Sequence, residues 1–244
     1  TLKAVLSILD AVDLVDPTDP TSGDDGTAPE SKPKADVLGN SITLISTLGY
    51  LGVSGNDIDI DSRRSGTGTL TANSRHNTYI IETLGDVYVY EVGSGDDATA
   101  FITAPGGSIY NGHPDPDGVN IISGKTYLIA AQDVGKNGNP LSTAVGGIEG
   151  KSTAGDTFVV NRGALEVGGV IPNNDPGIAA GGQVNLVASS PVTVTKSITA
   201  VDDILVHANE DADDMLADKP DLVTIVDGVR LESTDGCIEI RAGD

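Results

Sequence analysis

The residues best equipped for chemistry are carboxylates: 36 Asp and Glu stand against 14 Lys and Arg, a formal net charge of −22. Hard cations such as calcium take roughly six to eight oxygen ligands, and clustered carboxylates can begin such a shell. Asp57, Asp59 and Asp61 alternate with Ile58 and Ile60, which puts three carboxylates on one face of a strand. Asp115 and Asp117 share the turn HPDPDG, which runs from His113 to Gly118. Glu210, Asp211, Asp213 and Asp214 crowd a third segment, and Asp16, Asp19, Asp24 and Asp25 a fourth.

Each cluster also has a plain reading as solvated surface. A calcium-binding hand needs Gly at its sixth position and Glu at its twelfth; counted from Asp57, this chain supplies Ser62 and Gly68. The first cluster therefore reads as the outward face of a strand whose Ile58 and Ile60 point inward. The HPDPDG loop reads as a turn that one ligand set alone would not complete. Calcium stays as the one candidate cofactor, with Asp57, Asp59, Asp61, Asp115, Asp117, Asp211 and Asp213 as candidate ligands.

Other chemistry has less to stand on. His76 and His207 have no partner at zinc-ligand spacing, and no nucleophile elbow, phosphate loop or dinucleotide fingerprint occurs. Glycoside hydrolysis requires two carboxylates facing one cleft, and among so many acids a pair is easily found by chance. Sugar-binding enzymes also need aromatic platforms, and the six tyrosines, at positions 50, 79, 88, 90, 110 and 127, are confined to the first 127 residues. Tyr88 and Tyr90 share a strand face and could form a ladder with Tyr79, either as a surface-glycan stripe or, as the packing reading prefers, as a stack. A polysaccharide lyase or hydrolase is thus the alternative to a non-enzymatic role.

The elements that must position these residues announce themselves by repetition. The phrase apolar-x-apolar-x-Ala occurs as Val184, Leu186, Ala188, as Ile204, Val206, Ala208, and as Ile238, Ile240, Ala242, with a looser copy at Thr126, Leu128, Ala130. The first two copies start 20 residues apart and the third 34 further on, an interval holding the acidic segment 209–221. Removing it leaves a step close to the first. A unit of this length built on a period-two strand is what a β-solenoid requires. SITLISTLGYLGVSGN and KTYLIAAQDVGKNGN, about 83 residues apart, suggest an internal duplication.

From residue 38 onward strand signals are nearly continuous, divided by Gly, Asn, Asp and Pro. Residues 1–15 fit a short helix through Leu2, Val5, Leu6, Leu9 and Val12, which would cap the coil; the alternative is an alternating strand exchanged with a neighbour. Residues 16–37 read as an acidic, Pro-rich loop or linker. Only 3% of the chain is aromatic, with no Trp and 31 Gly, which suits a stack of thin levels better than one large core. A β-sandwich is the structural alternative.

The acidity argues against nucleic acid, since repulsion is felt at every phosphate. No apolar run approaches the roughly 18 residues of a membrane helix, so membrane insertion is not expected. Cys237 stands alone, which excludes an internal disulfide. The abrupt end at RAGD reads as the middle of a repeat, so the expected partner is another copy, joined axially, or adjacent repeats of a longer chain.

The phrases GNSITLIS, AGGQVNLVASSPVTVTKSITAVDDILVHA and DGCIEIRAGD resemble the repeats of giant bacterial surface proteins of the filamentous haemagglutinin type, over most of residues 38–244. The resemblance implies a right-handed parallel β-helix, an extracellular or cell-surface location, and a role in adhesion or fibre building. That family's N-terminal secretion module has no counterpart in these residues.

Overall fold

The computed structural model describes residues 1–9, 35–63, 68–172, 175–189, 191–209 and 221–243. Asp211 and Asp213 lie outside them, as do residues 10–34. The described residues are all-β: 21 strands joined in one sheet, with every pairing between named strands parallel. A sandwich uses antiparallel sheets, and these strands do not pair in that way.

Local sequence explains the strands. Val, Ile, Leu and Thr alternate with polar or small residues, so each strand has one buried row, seen as the strict in–out alternation of Ile42–Ser46 and Val184–Ser189. The continuous core contains only Ile, Leu, Val and Ala among the described residues, which answers the scarcity of aromatics.

The pairing pattern changes once along the chain. The first part holds β1 (Leu2–Ala4), β2 (Val37–Leu38), β3 (Ile42–Ser46), β4 (Ile58–Asp61), β5 (Leu70–Ser74), β6 (Thr78–Glu82), β7 (Val87–Gly93), β8 (Thr99–Ala104) and β9 (Ile109–Asn111). Here each strand pairs with the second one after it, so two strands make a level. Two long strands follow, β10 (Ile121–Ala130) and β11 (Leu141–Ser152); the first touches β7, β8 and β11, the second β12 to β14.

Beyond them lie β12 (Thr157–Asn161), β13 (Leu165–Val167), β14 (Ile178–Ala180), β15 (Val184–Ser189), β16 (Val192–Val194), β17 (Ile198–Ala200), β18 (Ile204–Asn209), β19 (Val223–Ile225), β20 (Leu231–Ser233) and β21 (Ile238–Ala242). From β12 each strand pairs with the third after it, so three strands make a level.

The repeated phrase stacks in register: Val184 on Ile204 on Ile238, Ala188 on Ala208 on Ala242. Its looser copy does not join them. Ala130 stands on another face, between Ala104 and Ser152, because β10 turns a corner midway and its second half aligns with β8. The acidic insertion begins one residue later than the spacing suggests, since Asn209 is still paired to Ser189. Leu222 resumes the stack by accepting the Val192 N–H.

Residues 2–9 are strand and bridge rather than helix: β1 pairs with β3 of the same chain and Ile8 bridges to Leu51. Of the acidic linker, only Ala35 to Val37 is described, and Val37 already belongs to β2. The two similar segments keep one turn in common. Gly55 and Gly138 have positive φ within two-residue hairpins, Val53 to Asn56 and Lys136 to Asn139, and each hairpin is preceded by another positive-φ glycine, Gly52 or Gly135. Their preceding strands, however, sit on different faces.

Candidate functional site

The described acidic candidates fall on β4 with the residue before it, and in the turn between β9 and β10. Ile58 and Ile60 are buried inward as the alternation predicts. Asp57 is half-buried, and loss of water pushes its carboxyl above the ordinary carboxylate range. Asp59 donates its backbone N–H to Asp36 Oδ2 at 3.1 Å, while Asp61 accepts the Arg63 N–H at 3.0 Å. In the HPDPDG turn, Asp115 Oδ1 accepts the Asp117 N–H at 3.0 Å, so the loop closes on itself. Among the described residues, no three His, Cys, Asp or Glu side chains gather as an ion-holding group.

The aromatic residues form stacks between levels, and the ladder differs from the one the strand faces imply. Tyr79 lies over Phe101 with centroids 4.4 Å apart and planes 5° from parallel, and Tyr127 meets Phe101 edge-on at 6.0 Å. These three are in register, whereas Tyr88 belongs to another face and packs on Tyr110 at 5.6 Å. Tyr90 stacks on His113 and Tyr50 on His76. Alignment along the stack, not position along one strand, selects the partner. In the Tyr79–Phe101 pair the facing ring surfaces are spent on each other, so neither is free as a platform for a sugar.

One buried ionic cluster escaped sequence reasoning. Glu149 is fully buried on β11, its Oε1 accepting the N–H of Val170 at 2.8 Å and of Ile171 at 3.3 Å. Lys196 donates from Nζ to Glu149 Oε2 at 2.9 Å and to the Ile171 carbonyl at 2.8 Å. Lys125 Nζ reaches the Gly169 carbonyl at 2.5 Å. Together they fasten the segment Gly168 to Ile171 against the side of the stack, after a turn in which Gly168 and Gly169 have positive φ. The signal was a Glu within GGIEGKS flanked by glycines, which marks close approach by another segment.

A second omission lies at the corners. Glu82 occupies an inward slot at the end of TYIIE, fully buried, accepting from Ser62 N at 3.1 Å and Ser62 Oγ at 2.5 Å. Burial is the chief cause that raises its carboxyl, and the Ser62 bonds oppose it. Asn161, ending the similar TFVVN, does the same work, accepting from Thr143 Oγ1 at 2.9 Å and Val145 N at 3.0 Å. A polar residue where alternation demands an apolar one was the readable sign.

The outermost levels differ from the rest. Inward-register residues of β21 remain open, Ile238 at 45% and Ile240 at 47% of full exposure, although Ile204 and Val206 beneath them are buried. At the other extreme Leu2, aligned on the buried Leu44, is 46% exposed. Each outer strand has backbone groups on one side without a strand partner among the described residues. Cys237 is exposed and free.

No family model matches the chain, and no curated protein or solved structure is significantly similar to it. Among the described residues no helix is long and apolar enough to cross a membrane.

Proposed function

We propose that this chain is a right-handed parallel β-helix serving as a rigid, extracellular structural module: a segment or subunit of a surface adhesin or fibre that joins the next module end to end. The carrying observation is the exposure of inward-register Leu2, Ile238 and Ile240 on strands with one open edge. A further level placed there would bury those side chains and pair the edge, whether an adjacent repeat or a second copy supplies it. The all-parallel pairing with two or three strands per level supports the β-helix, and the haemagglutinin-type phrases support the right hand and the surface location.

Stiffness follows from the same pattern. Backbone hydrogen bonds run from level to level, and each level's few aliphatic side chains bury against the next. The acidic outside keeps such a rod dispersed except at its ends.

Electron microscopy and sedimentation of the purified chain test the reading. Elongated particles that lengthen with concentration are expected, and the double substitution Ile238→Lys, Ile240→Lys should leave single short rods. A compact monomer at every concentration, unchanged by the lysines, would remove the assembly part of the proposal.

A further inference from the structure

In–out alternation leaves one freedom in a parallel stack. A slip of one residue turns every buried side chain outward and is forbidden, but a slip of two keeps apolar residues inward. On β12 and β15, for example, inward Thr157 and Val159 face inward Val184 and Leu186, similar enough in size that packing alone separates the two registers weakly. Something else must choose.

The residue just before each stacked strand supplies the choice. Asp86 Oδ1 accepts the N–H of Ser108 at 3.0 Å, and Ser108 Oγ accepts that of Asp133 at 3.2 Å. Asp133 Oδ1 accepts the N–H of Asp156 at 2.9 Å, and Asp156 Oδ1 that of Gln183 at 2.9 Å. The next link is main-chain, Val184 N–H to the Asp203 carbonyl at 2.8 Å, and then Asp203 Oδ1 accepts the Cys237 N–H at 2.7 Å. These residues form one column, each immediately before a residue paired to its counterpart in the next level. On other faces Asn77 Oδ1 takes the Thr99 N–H at 2.9 Å and Ser197 Oγ the Arg230 N–H at 3.1 Å.

We infer that this column of side-chain acceptors is the register determinant of the stack: each one admits only the aligned backbone N–H of the following level. A two-residue slip would carry that N–H roughly 6.6 Å along the strand, beyond hydrogen-bond reach. Carboxylates suit the task because a charged acceptor makes the stronger bond. Four of the column's acceptors are Asp, which gives part of the chain's acidity an internal use.

The test reads register directly, in protein carrying Cys237→Ser. Val160 and Val187 are aligned outward neighbours on β12 and β15. Cysteines there lie about one strand spacing apart, within disulfide range, whereas Val160 paired with Asn185 or with Ser189 lies about 8 Å away and out of range. Cross-linking of the three cysteine pairs is measured with Asp133, Asp156 and Asp203 all changed to Ala, and again with all three changed to Asn, which keeps Oδ1.

The Asn set should cross-link only 160 with 187. The Ala set should raise a shifted cross-link at least fivefold and speed hydrogen exchange at the Gln183 amide. An Ala set that loses stability yet still links only 160 with 187 would overturn the inference, as would an Asn set that slips equally. Should the Ala set not fold, Asp156→Ala alone is judged by the same rule.

Discussion

Removing Lys196 while leaving Glu149 in place should be among the most damaging single changes on the side of the stack. The substitution Lys196→Met keeps the aliphatic stem and removes the ammonium, which bonds Glu149 Oε2 and the Ile171 carbonyl. Glu149 has 1% of its side chain exposed, so its charge would stay buried with only the Val170 and Ile171 N–H groups to hold it. Breaking a buried ion pair from one side costs about 3–5 kcal/mol. Because Lys196 is 18% exposed, water can partly replace it, and the low end, about 3 kcal/mol, is expected. In a protein of this size that lowers the melting temperature by roughly 6–12 °C.

The diagnostic is the double variant Glu149→Gln, Lys196→Met. Gln keeps an acceptor for the two backbone N–H groups and carries no charge to strand, so the double variant should be more stable than Lys196→Met alone. Thermal unfolding followed by circular dichroism gives the cycle, and hydrogen exchange at the Val170 and Ile171 amides shows whether the segment has come loose. If the two substitutions simply add, or if the double variant is the worst of the set, the account of a charge held by its partner is refuted.

Glu82 makes the pH dependence specific: burial raises its folded carboxyl above the unfolded value, so folding binds its proton. Its contribution to stability is fully present below the unfolded pKa and is lost as pH rises through the folded value. Glu82→Gln should flatten that part of a melting-temperature profile; an unchanged slope would count against it. Two glycines at the second hairpin separate strain from collision. Gly135 and Gly138 both have positive φ, but a Cβ on Gly135 would lie 2.1 Å from the Phe158 carbonyl oxygen, while one on Gly138 meets nothing within 4 Å. Gly138→Ala should cost about 1–2 kcal/mol and Gly135→Ala distinctly more, as read by chemical denaturation; equal losses would contradict the distinction.

Much of the fold was legible because a period of two needs only local information. The Val184 and Ile204 phrases could be laid over each other by eye, and the structure pairs them residue by residue. What stayed hidden depends on which level meets which. Tyr79 finds Phe101 rather than Tyr88, and Thr126 to Ala130 joins a different face, because β10 bends between its halves and sequence spacing carries no record of that corner. The acidic clusters drew attention through density along the chain, yet the carboxylates with defined work are scattered: Glu82, Glu149 and the Asp residues before strands. Their signal was a single polar residue in an apolar or boundary slot, which stands out only once the level is known.

The change from two strands per level to three bears on how such a molecule can alter its length. Tyr79 to Phe101 advances one level in 22 residues in the first part, and Val184 to Ile204 does so in 20 in the second. At these two steps the layouts convert chain into length at nearly the same rate, roughly 4.8 Å for each unit of about twenty residues. Gain or loss of one unit within either part would move everything beyond it by that increment and leave its surroundings intact. Only at β10 and β11, where one layout becomes the other, would the same edit have no matching neighbour to close upon. As the proposed β-helix, the molecule would be a ruler with two scales and one fixed joint.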